Sequence, residues 1–388
     1  MTMSDMTDSL SKPAGQDHRK SAQFVAEKSC PQPNSHVAKS FAGARELLRS
    51  PDVRQAGGEA LRMVIDNPDH VSFFFLDGEV HRKRRASVAG YFTPKAIITR
   101  YHPIINDTMD ALIAELQATG TGILDEMALL VAANVTAEIL GLECAGDPLG
   151  MARSIHEIRR TTDKAEAERL RDLFYDRHIA PAVEASRKEP KDDVISYMVQ
   201  ENYSKIAMMM EVSTYGTAGV STTREFIGMA AWHLFDRPEL KQEFLDADEA
   251  GQFAILQEIL RLDPVTSFLY RKAEVDMPDA AEGPIKAGDI VAIDLRSANL
   301  DQEAVGECPL AFDGDRAEKV RNMASYLNFG DGPHRCPGSQ VALHETRMFL
   351  DRLMRVPGIR LEKPPVMNLA ANTQSYEIRE AVVACDKV

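Results

Sequence analysis

Apolar residues recur at helical spacing through most of the first two thirds of the chain. This pattern predicts helices over residues 41–48, 101–116, 124–142, 151–160, 165–184 and 193–200. A longer helix is predicted over 205–235, where roughly thirty residues would span about 45 Å. Its middle, residues 216–223, contains two glycines and several β-branched residues, which are poor helix formers. We therefore expect a kink there, or a close approach to another group.

The pattern changes after residue 262. Prolines separate short apolar runs such as 289–295, which predicts strands and turns, and a last helix is predicted over 339–354. The ordering predicts an α+β fold that is mostly α, with a large helical part and a smaller β-rich part. Residues 1–35 show little periodicity and are expected to be a loosely ordered lead-in to a single domain over 36–388.

Composition narrows the class of protein. The chain has 388 residues, 44% of them hydrophobic, and a formal net charge of -14. An acidic balance argues against a nucleic-acid partner. No run of about 18 apolar residues occurs, so no membrane-spanning helix is expected. The polar start lacks the order of a secretory signal, and five scattered cysteines fit a reducing cytoplasm, where we expect the protein to act.

One stretch carries the strongest chemical signal. Residues 328–338 read Asn-Phe-Gly-Asp-Gly-Pro-His-Arg-Cys-Pro-Gly, which places one cysteine in a glycine-rich loop directly before the last helix. Glycines let a backbone bend tightly and approach a flat partner. A helix N-terminus favours a thiolate, but a buried thiolate also needs a metal or another cation beside it. The loop therefore predicts a metal or another cation beside Cys336.

Three other interpretations of this loop have weaker support in the sequence. A phosphate-binding loop is weakly supported, because no Gly-Lys-Ser/Thr follows the glycines. A zinc site of His334 and Cys336 lacks a second pair of ligands at suitable spacing. A structural loop with a buried cysteine is the usual explanation for a lone cysteine, and the spacing of the surrounding residues argues against it.

This stretch resembles the haem loop of the cytochrome P-450 superfamily, Phe-Gly-x-Gly-x-His-x-Cys-x-Gly. Every fixed position is present: Phe329, Gly330, Gly332, His334, Cys336 and Gly338. The resemblance implies haem b (iron protoporphyrin IX) with Cys336 as the axial iron ligand, whose thiolate favours O–O cleavage. It also implies contacts of Phe329, His334, Gly338 and, on the long helix, Ala218 with the haem.

Other family motifs follow in the expected order. Glu258 and Arg261 match Glu-x-x-Arg, and the segment 312–316 supplies a second arginine, Arg316. The resemblance implies that these three residues form a buried structural charge network. Residues 77–85 are similar to the start of the family's haem-facing helix, which implies that His81, Arg85, Arg271 and His334 pair with the haem propionates.

Two interpretations stay open for the basic run between His81 and Arg85. Arg82, Lys83 and Arg84 form either a solvated charged face or part of a docking face for an acidic electron-transfer protein. No flavin or iron–sulfur segment is present in the sequence. We therefore expect a separate ferredoxin or flavodoxin, with its reductase, as partner.

The long helix departs from the family pattern. The family carries an acid followed by an alcohol, which together help to deliver protons during oxygen activation; here Ser221 replaces the acid and Thr222 keeps the alcohol. Glu225 lies nearly on the same helical face and is a candidate to supply protons through Ser221 and Thr222. Glu345 is a candidate to extend that route. The alternative is that Glu225 pairs with Arg224 or another neighbour.

The resemblance implies a monooxygenase that inserts one atom of O2 into a small or medium organic substrate. Ser221 keeps two alternatives open, a peroxide-using or oxygen-independent haem-thiolate enzyme; a third alternative is a non-catalytic haem- or ligand-binding protein. By resemblance, Thr214, Thr217, Ser267 and Leu269 line the substrate pocket. Further candidates are Phe73, Phe74 and Phe75, and residues 374–376. At most two of the three phenylalanines can face a ligand if they lie on one strand.

Overall fold

The computed structural model describes residues 17–33, 35–56, 71–142, 146–320, 326–370 and 375–387, apart from the side chain of Arg159. The chain divides into two compact units, each made of three separate stretches. Unit 1 consists of Met1–Arg54, Met229–Cys336 and Pro364–Arg379, and unit 2 of Gln55–Gly228, Pro337–Lys363 and Glu380–Val388. Neither unit is contiguous in sequence, so the expectation of one domain over 36–388 stays a prediction.

Unit 1 combines helices with two sheets. Its longer helices are Ala22–Lys28, Phe41–Arg49, Pro238–Asp246 and Glu249–Leu262, and its short ones are Leu295–Ala298, Gln302–Val305 and Arg316–Lys319. A four-stranded sheet has the order β1 (His36–Ala38), β5 (Ile290–Asp294), β4 (Phe268–Ala273), β2 (Val53–Gln55). A hairpin pairs β7 (Val366–Ala370) with β8 (Ser375–Arg379).

The core of unit 1 forms where the amphipathic helix Phe41–Arg49 meets the four-stranded sheet. Leu47 and Leu48 of the helix are buried in one hydrophobic cluster with Val291 and Ile293 of β5. The helix begins at Ser40, whose hydroxyl accepts a hydrogen bond from the Gly43 N–H, a typical N-cap. Residue pattern and capping therefore fix the face that this helix buries.

Unit 2 is almost entirely helical. Its helices are Gly78–Val88, Pro94–Ala96, His102–Thr119, Leu124–Leu140, Pro148–Arg160, Lys164–Phe174, Ala180–Lys188, Val194–Gln200, Lys205–Tyr215 and Ser339–Met354. Short 3₁₀ turns lie at Phe73–Phe75 and Ala89–Phe92, and π-helical turns at Ile97–Tyr101, Tyr175–Ile179 and Gly216–Ser221. One small sheet has the order β3 (Thr121–Ile123), β9 (Val382–Ala384), β6 (Arg360–Lys363).

The helix Leu124–Leu140 forms the centre of unit 2. Most of its residues are buried, and the half-buried ones, Glu126, Leu130, Asn134 and Glu138, recur every four positions on one narrow face. It packs against His102–Thr119, Pro148–Arg160 and the π-helical turn Gly216–Ser221. A helix with so wide an apolar surface is stable only in such surroundings.

The longest helical run, here called the central helix, consists of Lys205–Tyr215, the π-helical turn Gly216–Ser221 and Thr222–Asp236; its residues from Met229 onward belong to unit 1. The expected irregularity over 216–223 is therefore present, as a π-helical turn. One inserted residue changes the hydrogen-bond pattern there without ending the helix. The mostly α, α+β fold class is confirmed.

Two expectations require correction. The described part of the lead-in, residues 17–33, contains the helix Ala22–Lys28 and is hydrogen-bonded to Asp263, so it is not a loose segment. Phe73, Phe74 and Phe75 form a 3₁₀ turn and not a strand; Phe73 is buried, whereas Phe74 is exposed. Among the described residues, no helix is both long and apolar enough to cross a membrane.

Candidate functional site

The cysteine loop (residues 328–338) is a compact turn that belongs to unit 1 up to Cys336 and is followed by the helix Ser339–Met354. The Cys336 N–H donates to the Phe329 carbonyl over 2.8 Å, which closes the loop on itself. A single 3₁₀ turn, Gly332–His334, lies inside it. Gly330 and Gly332 have φ of +67° and +65°, a conformation that favours glycine. The Cys336 side chain is half-buried.

Close packing and charge hold this loop in place. A Cβ atom on Gly332 would lie 2.3 Å from the Leu48 carbonyl oxygen, so no other residue fits without moving the backbone. Asp331 accepts hydrogen bonds from the Nε atoms of Arg45 (2.8 Å) and Arg49 (2.9 Å). Burial raises the pKa of Asp331, but the hydrogen bonds from Arg49 and Arg45 outweigh burial and lower it overall. The loop is thus anchored to the helix Phe41–Arg49.

The structure brings Glu258, Arg261 and Arg316 together in unit 1. Glu258 accepts two hydrogen bonds from Arg261, of 2.7 and 2.8 Å, and one of 3.0 Å from Arg316 Nε. Tyr326 Oη also donates to Glu258, over 3.2 Å. The two guanidinium groups donate further to carbonyls, including those of Pro309 and Val305. All three charged side chains are buried, and such pairing is what makes a buried charge tolerable.

The central helix exposes an unusual face at its π-helical turn. Ala218 and Ser221 are exposed, although residues before and after them in the same helix are buried. The Thr222 hydroxyl donates to the Ala218 carbonyl over 2.6 Å, and the Thr214 hydroxyl donates to the Met210 carbonyl over 2.8 Å. Thr214 and Thr217 are half-buried. An open, small-residue face in mid-helix is the kind of surface that a flat cofactor and its substrate can cover.

Glu225 lies against a cation rather than in the open. Its side chain is buried, and Oε1 accepts a hydrogen bond of 3.3 Å from Arg224 Nε. Burial raises the pKa of nearby Asp125, and Arg224 partly offsets that rise. This arrangement is the ion-pair alternative considered for Glu225, and it weighs against Glu225 as the source of protons.

Glu345 is buried on the helix Ser339–Met354, and its Oε2 atom makes no hydrogen bond to any described residue. Burial raises its pKa well above the ordinary value, which favours the protonated acid.

The basic helix Gly78–Val88 does not present all its charges to solvent. His81 is buried and Arg85 half-buried, whereas Arg82 and Lys83 are exposed. Arg84 is also buried, so neither interpretation offered for it, a solvated face or a docking face, is correct. Residues 81, 84 and 88 lie on one helical face, and this spacing is the signal that could have identified Arg84 as an inward residue.

Arg84 occupies a cluster that the sequence did not reveal. Its guanidinium lies 3.6 Å from Glu211 Oε1, donates to Tyr197 Oη over 2.9 Å and stacks on the Tyr203 ring. Burial raises the pKa of Glu211, while Ser72 and Arg84 lower it to a smaller extent. Tyr215 is buried next to Phe92 and Phe73, and burial also raises its pKa.

The remaining candidates belong to unit 1. Arg271 is buried on β4 and donates to the Tyr270 carbonyl, and His334 is half-buried in the cysteine loop. Leu269 is half-buried on β4. Ser267 is fully buried, with its hydroxyl 3.4 Å from Arg296 Nε, so this contact does not favour a role in a substrate pocket. Of residues 374–376, Gln374 lies outside the described residues, and Tyr376 is buried with its hydroxyl donating to the Asp263 carbonyl.

These features fit a haem held by one thiolate. Within the described part of the chain, no group of three or more His, Cys, Asp or Glu side chains could hold a metal, which leaves the zinc alternative without support. The cysteine loop is rigidly anchored, and its thiol precedes a helix N-terminus.

Comparisons with known proteins agree with this chemistry. Residues 253–356 match the family model described as Cytochrome P450. Erythromycin C-12 hydroxylase of Saccharopolyspora erythraea is 29% identical over 72% of this chain and 71% of its own. Pentalenic acid synthase of Streptomyces avermitilis is 27% identical over 76% of this chain and 72% of its own.

Solved structures share the fold. The crystal structure of CalO2 has a TM-score of 0.77 at 22% identity and covers 94% of this chain and 95% of its own. That of CYP109E1 from Bacillus megaterium with testosterone has a TM-score of 0.74 at 22% identity, covering 94% and 99%. The cysteine loop, the buried charge network, the interrupted central helix and these relatives lead to one conclusion: the chain is similar to the cytochrome P450 superfamily in its motifs, its sequence and its fold.

Proposed function

We propose that the protein is a haem-thiolate monooxygenase that inserts one atom of O2 into a small or medium organic substrate. Haem is the cofactor of the family, and when bound it supplies the redox chemistry of oxygen activation. The observation that carries the proposal is Cys336 in its anchored loop. One relative is named a hydroxylase, which supports the same reaction class.

The residues of this chain would act around that cofactor in four ways. Cys336 ligates the iron; Phe329, Gly338 and Ala218 pack on the haem. His81, Arg85, Arg271 and His334 pair with the haem propionates, where charge-assisted hydrogen bonds would fix its orientation. Thr222 and Ser221 hold and move protons, whereas Glu225 is held by Arg224 and stays outside this route. Thr214, Thr217 and Leu269, and less directly Ser267, shape the substrate pocket.

Electrons would come from a separate ferredoxin or flavodoxin and its reductase. Arg82 and Lys83 are exposed on the basic helix and are suited to an acidic partner. Arg84 is not part of this surface, because it is buried against Glu211.

The first experiment tests thiolate ligation. We expect the reduced, carbon monoxide-treated protein to show a strongly red-shifted Soret band, and Cys336→Ser to lose it. Cys308→Ser is the matched control, because Cys308 is exposed and should leave the band unchanged. A wild-type carbonyl spectrum like that of histidine-ligated haem would contradict the assignment.

A second experiment tests the reaction. From a panel of terpenoids, aromatic compounds and fatty acids, the compound that shifts the Soret spectrum most would be incubated with a ferredoxin system and ¹⁸O2. Incorporation of one labelled atom into product is expected.

The exposed Ser221 favours one second candidate, a peroxide-using enzyme. In that case hydrogen peroxide alone would support product formation, and the ferredoxin system would not increase it.

A further inference from the structure

Two histidine side chains meet between two helices of unit 2. His102 is the first residue of the helix His102–Thr119, and His344 lies near the middle of the helix Ser339–Met354. The distance between His102 Nε2 and His344 Nδ1 is 3.0 Å, the ring centroids are 4.9 Å apart, and the ring planes are inclined by 48°. Both residues are half-buried, so neither is shut away from water.

Polar side chains hold the rest of the same contact between the two helices. Arg352 donates to the Asn106 carbonyl over 3.2 Å and to Asn106 Oδ1 over 3.1 Å, and it forms an ion pair with Asp110. Asn106 and Asp110 follow His102 at helical spacing, and Arg352 follows His344 in the same way, so these residues share the helix faces of the two histidines. A clamped helix pair therefore holds the imidazoles together, and Arg352 already neutralises the Asp110 carboxylate.

The separation of the two nitrogen atoms suits a single metal ion. Histidine nitrogens bind Zn²⁺ at about 2.0–2.1 Å. Two such nitrogens lie about 3.3 Å apart at the tetrahedral angle, and about 2.9 Å apart at the right angle of a square-planar Cu²⁺ or Ni²⁺ site. The observed 3.0 Å falls between these two values. Turning both nitrogens toward one ion needs rotation of the rings, but the helices already hold them at the required separation.

The protonation of the pair is compatible with such an ion. Without a metal, one ring donates its N–H and the other accepts with its bare nitrogen. When a metal binds, it takes the place of the shared proton, and each neutral ring carries its own proton on the other nitrogen. Because only the neutral imidazole is a ligand, acid should weaken binding.

We propose that His102 and His344 together bind one divalent metal ion of the kind that prefers imidazole, namely Zn²⁺, Ni²⁺ or Cu²⁺. Among the described residues, no group of three or more His, Cys, Asp or Glu side chains could hold a metal, so water molecules complete the coordination and the ion exchanges with solvent. Binding fastens one helix to the other and stabilises the folded protein by mass action. The inference does not depend on the proposed oxygen chemistry, since it uses neither Cys336 nor Ser221.

The test measures binding of Ni²⁺ to the haem-loaded protein, prepared without a histidine tag. The background variant Cys30→Ser/Cys308→Ser removes two exposed thiols that would otherwise compete for the metal. We expect calorimetry to find one Ni²⁺ per chain in this background. His102→Gln and His344→Gln should each weaken its binding by at least about tenfold, because even residues that only support a ligand contribute roughly 10–100-fold. Ni²⁺ should also raise the melting temperature of the background protein, but not that of either glutamine variant.

One further variant and one further measurement separate binding from folding. His36→Gln is the matched control: His36 is an exposed histidine of unit 1 whose Nε2 lies 3.0 Å from Asp289 Oδ2, and its loss should leave the Ni²⁺ affinity unchanged. X-ray absorption at the nickel edge, recorded on the background protein, should show two imidazole ligands. This measurement needs neither glutamine variant, so it covers the case in which they do not fold.

Three outcomes would overturn the proposal. The first is that Ni²⁺ shows no saturable binding, which would mean that the two histidines only form a hydrogen bond between the helices. The second is that His102→Gln and His344→Gln both keep the background affinity, which would place the ion elsewhere. The third is an absorption spectrum with fewer than two imidazole ligands.

Discussion

Ser221 stands where the family's long helix carries an acid, and its side chain is exposed at the π-helical turn. The hydroxyl group of the neighbouring Thr222 donates a hydrogen bond to the Ala218 carbonyl, so an acid at position 221 would have a hydroxyl group close by. Glu225 does not replace that acid directly, because Arg224 holds its carboxylate.

The first prediction restores the acid. Ser221→Asp should raise the fraction of reducing equivalents recovered in product by up to about tenfold, which is less than the roughly 10²–10⁴-fold that a positioned proton donor contributes to a rate. The measurement is the ratio of product formed to reduced nicotinamide consumed. Ser221→Asn has nearly the same shape without the titratable proton and should not raise the ratio; equal gains for both variants would contradict the idea.

A second residue-scale prediction concerns Arg84. Removing one partner of a buried ion pair leaves a buried charge, so Arg84→Ala should lower the free energy of unfolding by about 3–5 kcal/mol. The double variant Arg84→Met/Glu211→Leu removes both charges and should recover most of that loss. Urea unfolding of both variants checks this expectation; equal losses would show that the unpaired Glu211 is not the cause, since Arg84 also contacts Tyr197 and Tyr203.

The pH dependence of Arg84→Ala has a definite sign. Burial raises the pKa of Glu211 in the folded state. A carboxyl group whose pKa is raised in the folded state is best tolerated there when it is protonated. The free energy of unfolding therefore falls as pH rises from the ordinary pKa of the group through its folded-state pKa. Because Arg84 opposes this rise, its removal should make the loss of stability larger at pH 8 than at pH 5.

Contacts within one short motif could be predicted from the sequence: Glu258 and Arg261 are three positions apart, and they pair in the structure. The spacing within the cysteine loop singles out Cys336, whose role as an iron ligand stays a prediction. Arg84 was misplaced because its partner Glu211 lies on a helix far along the chain, and local spacing does not show that contact.

At the scale of elements, the π-helical turn Gly216–Ser221 is the most specific feature. Gly216 allows the helix Pro148–Arg160 to approach closely: a Cβ atom there would lie 2.2 Å from Ile155 Cδ1. The glycines therefore serve close packing, which is one of the two explanations expected from the sequence.

The third prediction tests this packing. Gly216→Ala should cost about 1–3 kcal/mol in unfolding free energy through overpacking. Adding Ile155→Ala removes the methyl group that the new side chain would meet. The double variant should therefore lose less unfolding free energy than the sum of the losses in the two single variants. Gly90→Ala is the control, since a Cβ atom there has open space. Strict additivity would show that Gly216 and Ile155 do not clash.

Helix positions were predicted well because long apolar periodicities determine them. The last helix has the predicted bounds, Ser339–Met354. The helix expected over 165–184 contains the π-helical turn Tyr175–Ile179, since one inserted residue hardly disturbs a 3.6-residue pattern. The 3₁₀ turn Phe73–Phe75 was not predicted, because three residues are too few to define a period.

At the scale of the whole chain, Asp263 joins segments that are far apart in sequence, all within unit 1. It accepts hydrogen bonds from the Ser21 N–H and from His233 Nε2, both over 2.8 Å. His233 Nδ1 accepts from Arg237, which requires a neutral imidazole. Burial lowers the pKa of His233 to about 3, because its effect outweighs that of Asp263, which raises the pKa.

The fourth prediction follows from that lowered pKa. Between about pH 6.5 and 3 the unfolded histidine takes up a proton and the folded one does not, so stability should fall with pH by up to about 1.4 kcal/mol per pH unit. His233→Gln can keep both hydrogen bonds without titrating and should flatten this slope. Thermal or urea unfolding between pH 7 and 5 measures the slope, and an unchanged slope in the variant would contradict the assignment.

The interleaved order of the two units has a consequence for synthesis. Strand β3 leaves the ribosome early, but its partner β9 comes near the end of the chain. Until then the nascent chain presents an unpaired strand edge and an incomplete apolar core, the features that chaperones recognise and that favour aggregation. Slow translation of the final segment should therefore reduce the soluble yield of this protein more than slow translation of its first helices.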